Sequence, residues 1–134
     1  MIINAVSLYL VRPADKSVFL VDHKKHGCWL PIGGKCNDKE DIYPALEREA
    51  FEEARIPFHM MPKAELLGVD GIKDLNTLKW SCIFAFAAVY LDKRPIQSYC
   101  DEWTHGEWFR EPPYYNTPAN VKQRFRQALQ MFAV

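Results

Sequence analysis

Residues 34–56 read GKCNDKEDIYPALEREAFEEARI, and this stretch decides the fold. Its second half places Glu49, Glu52 and Glu53 within about one helical turn, because residues three and four apart share one face of a helix. Arg48 is the counter-charge that stands among them. Like charges at this spacing repel, and the negative end of the helix dipole adds to the repulsion. A bound divalent cation would relieve it, since Mg²⁺ takes carboxylate oxygens and then holds phosphates.

Length and composition describe a single domain over residues 1–134, long enough to bury a hydrophobic core. The hydrophobic content of 49% and the charged content of 25% are ordinary for a globular protein. Lysine and arginine total 17, aspartate and glutamate also 17, so the formal net charge is +0. That balance argues against strong nucleic-acid binding, which needs clustered basic excess.

Cysteine spacing and hydropathy indicate the compartment. The four cysteines show no CxxC pair and no zinc-ligand spacing, so we expect reduced thiols. The first five residues lack the basic region that precedes a signal-peptide core. The apolar run 82–91 is too short to span a bilayer. These features predict a cytoplasmic protein with no membrane partner.

Hydrophobic periodicity predicts the strands. Residues 2–11 and 17–22 indicate a hairpin, and residues 23–34 a loop punctuated by glycine and proline. Further strands are predicted over 65–69, 77–91 and 107–110, with a turn over 70–76.

Proline positions delimit the helices. Pro44 is tolerated only in a first turn, so the first helix begins near residues 41–44 and ends at Ile56, before Pro57. Thr117 followed by Pro118 predicts an N-cap and a first helical position for a final amphipathic helix. Strands that alternate with helices predict an α/β fold, a mixed β-sheet sandwiched between α-helices.

The stretch 34–56 resembles the Nudix box, which runs Gly, five residues, Glu, seven residues, Arg-Glu, apolar, any, Glu-Glu, any, Gly, apolar. Gly34, Glu40 and the 48–53 run fall in register, with Ile56 at the last apolar position. Arg55 departs from the pattern, because it stands where the box closes on glycine. That glycine usually has positive φ at a helix end, so the exit could be built differently, and Arg55 could offset the negative helix end. A residue between Pro31 and the glycine pair is a second departure, which affects the substrate loop.

The resemblance implies a Nudix fold and a metal-dependent hydrolase. Glu49, Glu52, Glu53 and the backbone carbonyl of Gly33 would bind Mg²⁺, with Mn²⁺ as the alternative ion. Glu52 and Glu53 would be catalytic through that metal, Arg48 would orient the glutamates, and Glu40 would fix the loop against the helix. The metal would activate water for attack on a diphosphate, with no nucleophilic side chain required.

Glu102 is the candidate for the further acid, a metal ligand or general base, that many Nudix enzymes take from a late loop. It precedes Glu107-Trp108 as the corresponding acid does in MutT-type enzymes. A solvated loop acid is an equal interpretation. Asp101 is the next candidate, and Asp70 or Asp74 could also reach the cleft.

Four residues are candidates for substrate binding: Gly34, Lys35, Asn120 and Trp29. Asn120 lies at the start of the last helix, where MutT-type enzymes use an Asn to read a purine edge. A local capping role is the alternative for Asn120, and a core role for Trp29. Lys35 could contact a phosphate or be a solvated loop residue.

The predicted activity is hydrolysis of a nucleoside diphosphate linked to another moiety, above all a nucleoside triphosphate or modified nucleotide. Downstream of the box, no proline or tyrosine is placed as in relatives specific for ADP-ribose or dinucleoside polyphosphates, which favours a triphosphate. The alternatives are a non-catalytic nucleotide-sensing Nudix domain and an RNA 5′-end pyrophosphohydrolase, which the absent basic excess disfavours. Exposed aromatic residues could serve a homodimer.

Overall fold

The computed structural model describes residues 2–61 and 63–133. The ends of the predicted domain, Met1 and Val134, lie outside these residues. Within them the chain forms seven strands and two α-helices: β1 (Ile2–Arg12), β2 (Ser17–His23), β3 (Cys28–Leu30), β4 (Ile32–Lys35), α1 (Ile42–Ala54), β5 (Glu65–Lys73), β6 (Trp80–Val89), β7 (Trp103–Phe109) and α2 (Ala119–Phe132). A short 3₁₀ helix, Phe58–Met60, follows α1.

Strand β1 is the centre of the sheet. One of its edges pairs in parallel with β6, and β5 extends the sheet antiparallel to β6. The other edge pairs antiparallel with β4 over Ala5–Leu8 and with β2 at Val11–Arg12. Strand β2 also pairs with β3 and β7. Because β4 lies against β1, the glycine-rich segment is fixed beside the central strand of the sheet.

Alternation along the strands separates two hydrophobic layers. In β1, Val6, Leu8 and Leu10 belong to the cluster that contains Ala45, Leu46 and Ala50 of α1. Tyr9 and Val11 belong to the cluster that contains Val121, Phe125 and Ala128 of α2. This period of two follows from side chains that point to opposite faces of a strand. The predicted α/β fold, with a mixed sheet between helices, is confirmed.

The prediction of a loop over residues 23–34 is wrong in part. Residues 28–30 and 32–35 form β3 and β4. Glycine disfavours strands by propensity, but here the close approach of β4 to β1 requires it. A Cβ on Gly33 would overlap the carbonyl oxygen of Val6. Tertiary contact therefore overrides the local signal.

Three other boundaries differ from prediction. Strand β5 continues to Lys73, and the turn starts at Asp74, whose carboxylate accepts the backbone N–H groups of Asn76 and Thr77. Strand β6 is correspondingly shorter than residues 77–91. Strand β7 starts at Trp103 rather than residue 107, since Trp103 pairs with His23 and is buried.

The predicted N-cap of the last helix is wrong. Pro118 is the N-cap of α2, without a side-chain cap, and the Thr117 hydroxyl donates instead to the carbonyl of Tyr115. Among the described residues, neither α-helix is long and apolar enough to cross a membrane.

Candidate metal centre and active site

Arg48 organises the acidic face of α1. Its Nε and one terminal nitrogen donate to both carboxylate oxygens of Glu40 at 2.8 and 2.9 Å. The remaining donors reach Glu49 at 2.9 Å, Glu52 at 3.1 Å and the carbonyl of Lys35 at 3.0 Å. A guanidinium has five N–H donors, and all five of those on Arg48 form hydrogen bonds. It therefore orients two box glutamates and ties α1 to the end of β4.

Glu40 joins the loop to the helix, as the resemblance implied. Besides Arg48, its carboxylate accepts the backbone N–H of Asn37 at 2.9 Å. The hydrogen bonds from Arg48, followed by that from Asn37, lower the pKa of Glu40 to about 2. Glu40 therefore stays ionised and holds the loop 36–41 in place at neutral pH.

The glycine pair leaves room for the carboxylates. An ideal Cβ on Gly34 would lie 2.6 Å from the carboxylate of Glu49. At that distance something must shift, because non-bonded carbon and oxygen atoms do not approach so closely. The absence of a side chain at Gly34 therefore leaves the space that the Glu49 carboxylate occupies.

Glu53 is the buried member of the acidic set, with a residue exposure of 4%. One carboxylate oxygen accepts the backbone N–H of Gly33 at 3.0 Å, and the other accepts the indole N–H of Trp103 at 3.0 Å. Its side chain also lies within hydrogen-bonding reach of the Glu49 carboxylate. Three elements, α1, β4 and β7, thus meet at one carboxylate.

Burial raises the pKa of both Glu49 and Glu53. For Glu53 the value reaches about 8; burial is the largest cause, and the hydrogen bond from Trp103 acts in the opposite direction. The negative charges of Glu49 and Glu102 raise the pKa of Glu53 further. Without a positive charge the pair therefore favours a protonated state, as two close carboxylates do.

Glu102 lies near this pair, on the segment that leads into β7. Its carboxylate is 3.4 Å from Nε2 of His23, and its backbone carbonyl accepts the N–H of Lys24 at 2.9 Å. The Glu102 side chain is 56% exposed. The structure thus places the predicted late-loop acid close enough to Glu53 for its charge to raise the pKa of that carboxyl.

The other acidic candidates have different partners. Asp70 forms a two-point ion pair with Arg124 of α2, at 2.8 and 3.2 Å, on the opposite face of the sheet from α1. Asp74 caps its own turn. Asp101 is exposed beside Glu102. Of these three alternatives, Asp101 is the one adjacent in sequence to Glu102.

The donor set fits a hard divalent cation. Glu49 and Glu53 are two adjacent carboxylates that burial drives towards protonation, and a cation in place of the proton would stabilise their charged forms. Across the described parts of the chain, no three Asp, Glu, His or Cys side chains are already arranged as metal ligands. Glu52 is held by Arg48, but its side chain is 55% exposed and has room to reorient.

The predicted substrate-binding residues lie around the glycine segment and α2. Lys35 is exposed at the end of β4. Trp29 packs edge-on against Phe109 and His105 and is half-buried against the α2 cluster. The Trp29 backbone N–H donates to the carbonyl of Asn116 at 2.7 Å, four residues before the half-buried Asn120. Trp29 and the start of α2 are therefore adjacent.

Sequence reasoning missed two supporting residues of the site, Trp103 and His23. A buried indole needs an acceptor for its N–H, and Trp103 follows the predicted acid Glu102 directly, so a signal was present. His23 lies at the end of β2, and no local pattern links it to Glu102.

Comparisons with known proteins identify the family. The family model described as NUDIX domain matches residues 1–127. A search among curated proteins finds no match.

Solved structures with this fold are similar over nearly the whole chain. A MutT NUDIX hydrolase from Burkholderia pseudomallei superposes with a TM-score of 0.80 at 21% identity, covering 95% of this chain and 98% of that one. An Ap4A hydrolase binary complex from C. elegans gives 0.77 at 18% identity, covering 98% of each chain. The NUDIX domain of Shewanella oneidensis NrtR, complexed with ADP ribose, gives 0.75 at 19% identity, covering 98% and 88%. With a family model matched over residues 1–127, this chain belongs to the NUDIX family of hydrolases, which act on nucleoside diphosphate derivatives.

Proposed function

We propose that this protein is a Mg²⁺-dependent pyrophosphohydrolase of a nucleoside triphosphate or modified nucleotide. It releases a nucleoside monophosphate and either pyrophosphate or a phosphorylated moiety, and Mn²⁺ is the alternative ion. The observation that carries the proposal is the Glu49–Glu53 pair, with Glu53 buried and Glu49 partly buried, held between Gly33, Gly34 and Trp103 and oriented by Arg48. A fold that needed only stability would not place a second carboxylate beside a buried one.

Glu49 and Glu53, joined by Glu52, are the residues that would hold the cation. The N–H of Gly33 already points to Glu53, and the N–H and C=O of one strand residue point to the same side, so the Gly33 carbonyl is a suitable further ligand. When bound, Mg²⁺ supplies positive charge for the diphosphate and lowers the pKa of the attacking water. Arg48 orients Glu49, and Glu52 would turn from Arg48 towards the cation.

The reaction needs a proton acceptor. A water oxygen bonds to phosphorus, the bond from phosphorus to the bridging oxygen breaks, and the water proton passes to a carboxylate. Both oxygens of Glu53 already accept protein N–H groups. Glu102 is the better acceptor, because its carboxylate is exposed beside the pair with His23 as its neighbour.

The nucleoside is expected between β3 and the start of α2. Trp29 offers an aromatic face or edge there, and Asn120 offers an amide that both donates and accepts. We expect the exposed side chain of Lys35, one residue beyond Gly34, to contact a phosphate. The cytoplasm, which we expect for this protein, supplies nucleotides of this class, and a homodimer through exposed aromatics such as Tyr114 and Tyr115 is compatible with the site.

A substrate panel tests the proposal. Nucleoside triphosphates, oxidised nucleotides, ADP-ribose and a dinucleoside tetraphosphate are incubated with the protein and Mg²⁺, and products are resolved by ion-exchange chromatography. We expect Glu53→Gln to lower kcat about 100-fold or more, since the variant loses a charge that the transition state requires. Glu47→Gln, on the exposed side of α1, is the matched control and keeps full activity.

The alternatives give distinct outcomes. No turnover of any diphosphate counts against the proposal, and tight nucleotide binding without products, measured by calorimetry, would indicate a nucleotide sensor. Steeply salt-dependent binding of 5′-triphosphorylated RNA would indicate the RNA 5′-end activity.

A further inference from the structure

Arg55 departs from the glycine that closes the box, yet α1 ends with the backbone conformation that glycine would adopt. Arg55 has φ 53° and ψ 38°, in the left-handed region. Its N–H donates to the carbonyl of Phe51 at 2.9 Å, and the N–H of Ile56 reaches Ala50 at 3.3 Å. A side chain in this region is strained, whereas glycine is not. At this position the Arg55 side chain makes contacts that glycine cannot.

Those contacts bridge α1 to the segment 94–102, which leads into β7. The Arg55 guanidinium donates to the carbonyl of Phe51 at 3.2 Å and lies 5.0 Å from the centre of the Phe51 ring. On its other side it lies 5.2 Å from the centre of the Tyr99 ring. A guanidinium is attracted to aromatic faces at such distances. Arg55 thus holds the half-exposed Tyr99 against the end of α1.

The same segment contains the proton acceptor and the support of Glu53. The Tyr99 N–H donates to the backbone carbonyl of Glu53 at 2.7 Å, and four residues later the Trp103 indole donates to the Glu53 carboxylate. Glu102 lies between these two attachments. Ser98 donates its hydroxyl to the carbonyl of Trp103, which closes the segment into a compact turn. Glu102 is also held by the Lys24 N–H, so loss of the Tyr99 contact would release the segment on the N-terminal side of Glu102.

We propose that Arg55 is a positioning residue that holds the Glu102 segment over the metal-binding glutamates through Tyr99. This assignment deepens, and for its catalytic consequence rests on, the proposed hydrolase function. It gives a reason for an arginine where the family pattern has glycine. The side chain holds the segment 94–102 in place, and this gain offsets the strain of a left-handed arginine.

Replacing Arg55 by glycine separates the effect of backbone strain on stability from the effect of the side-chain contacts on catalysis. In Arg55→Gly we expect an unchanged or raised unfolding midpoint, together with a kcat about tenfold lower and little change in KM. Tenfold converts to about 1.4 kcal/mol of transition-state free energy. Arg55→Lys keeps a cation between the rings and should recover part of kcat. Lys16→Gly is the matched control, because Lys16 is also left-handed, with φ 54°, but lies in the exposed β1–β2 turn; it should leave kcat unchanged.

Hydrogen exchange gives a readout that does not depend on activity. The Tyr99 amide should exchange at least tenfold faster in Arg55→Gly and at the wild-type rate in Lys16→Gly. In the double variant with Tyr99→Leu, kcat should fall no further than in Arg55→Gly alone, since both changes remove one contact.

The outcomes are decisive. Unchanged Tyr99 exchange and full kcat in Arg55→Gly would overturn the assignment, and so would an unfolding midpoint that falls together with kcat. If the wild type hydrolyses no nucleotide, the proposed function fails, while the exchange rates still decide whether Arg55 fastens the segment.

Discussion

The buried carboxylate of Glu53 predicts an unusual dependence of stability on pH in the metal-free protein. Burial raises the pKa of Glu53 to about 8, whereas a glutamate in the unfolded chain titrates near 4.3. Between these values the folded state binds a proton that the unfolded state has lost. The free energy of unfolding attributable to Glu53 is therefore fully present below about pH 4 and decreases as pH rises towards 8.

The magnitude follows from one proton. A single differential proton changes the free energy of unfolding by at most about 1.4 kcal/mol per pH unit, so the loss between pH 5.5 and 7.5 is up to about 3 kcal/mol. Glu53→Gln cannot titrate and should lose this slope. At pH 5.5 the variant should be less stable than the wild type by about 1–2 kcal/mol, because an amide nitrogen cannot accept from Gly33 or Trp103, and this deficit should shrink or reverse towards pH 7.5 as only the wild type loses stability.

Urea unfolding in the presence of EDTA measures the effect at pH 5.5, 6.5 and 7.5. The relevant quantity is the difference in free energy of unfolding between the wild type and Glu53→Gln. Burial lowers the pKa of His26, which makes both proteins more stable as pH rises, and this contribution cancels in the difference. Glu47→Gln should keep the wild-type slope. A difference that stays constant across the three pH values would refute the reasoning, since Glu53 would then titrate alike in both states.

Three further outcomes follow from the same contacts. Gly34→Ala should lower metal affinity about 10- to 100-fold by titration calorimetry, because its Cβ would displace the Glu49 carboxylate; unchanged affinity would contradict the geometry. Mg²⁺ affinity should rise from pH 6 to pH 8, with protons released that buffers of different ionisation enthalpy detect, since the ion replaces the proton on Glu53. Arg124→Ala should lower the free energy of unfolding by about 3 kcal/mol, measured by urea unfolding, because it leaves Asp70 largely buried without its partner; a loss below 1 kcal/mol would contradict this.

The elements that were predictable from sequence are those with a local cause. The first helix could be placed because Pro44 is restricted to a first turn and its apolar residues recur at helical spacing. It runs Ile42–Ala54, close to the predicted bounds. The β1–β2 hairpin followed from β-branched runs around a turn. In each case the information lies within one continuous stretch of the chain, and the structure agrees with it.

The parts that were not predictable depend on residues far apart in the chain. Trp103 donates to a carboxylate fifty residues earlier, and the Asp70–Arg124 pair joins positions fifty-four residues apart. Local spacing contains no information about such pairs. Asp70 was a candidate for the site because its sequence context does not show that Arg124 is its partner. The indole N–H was the one usable signal, since it must find an acceptor when buried.

Gly33 and Arg55 show how a local rule fails in opposite directions. At Gly33 the rule that glycine breaks strands predicted a loop, but close approach to Val6 makes glycine necessary within β4. At Arg55 the rule that left-handed positions favour glycine allowed a differently built helix exit, but the left-handed conformation persists. Both residues contact the box glutamates or the segment that positions Glu102, which is where a fold tolerates local conflict for function. Positions at which a local rule and the structure disagree are therefore the positions to mutate first when the function of such a chain is tested.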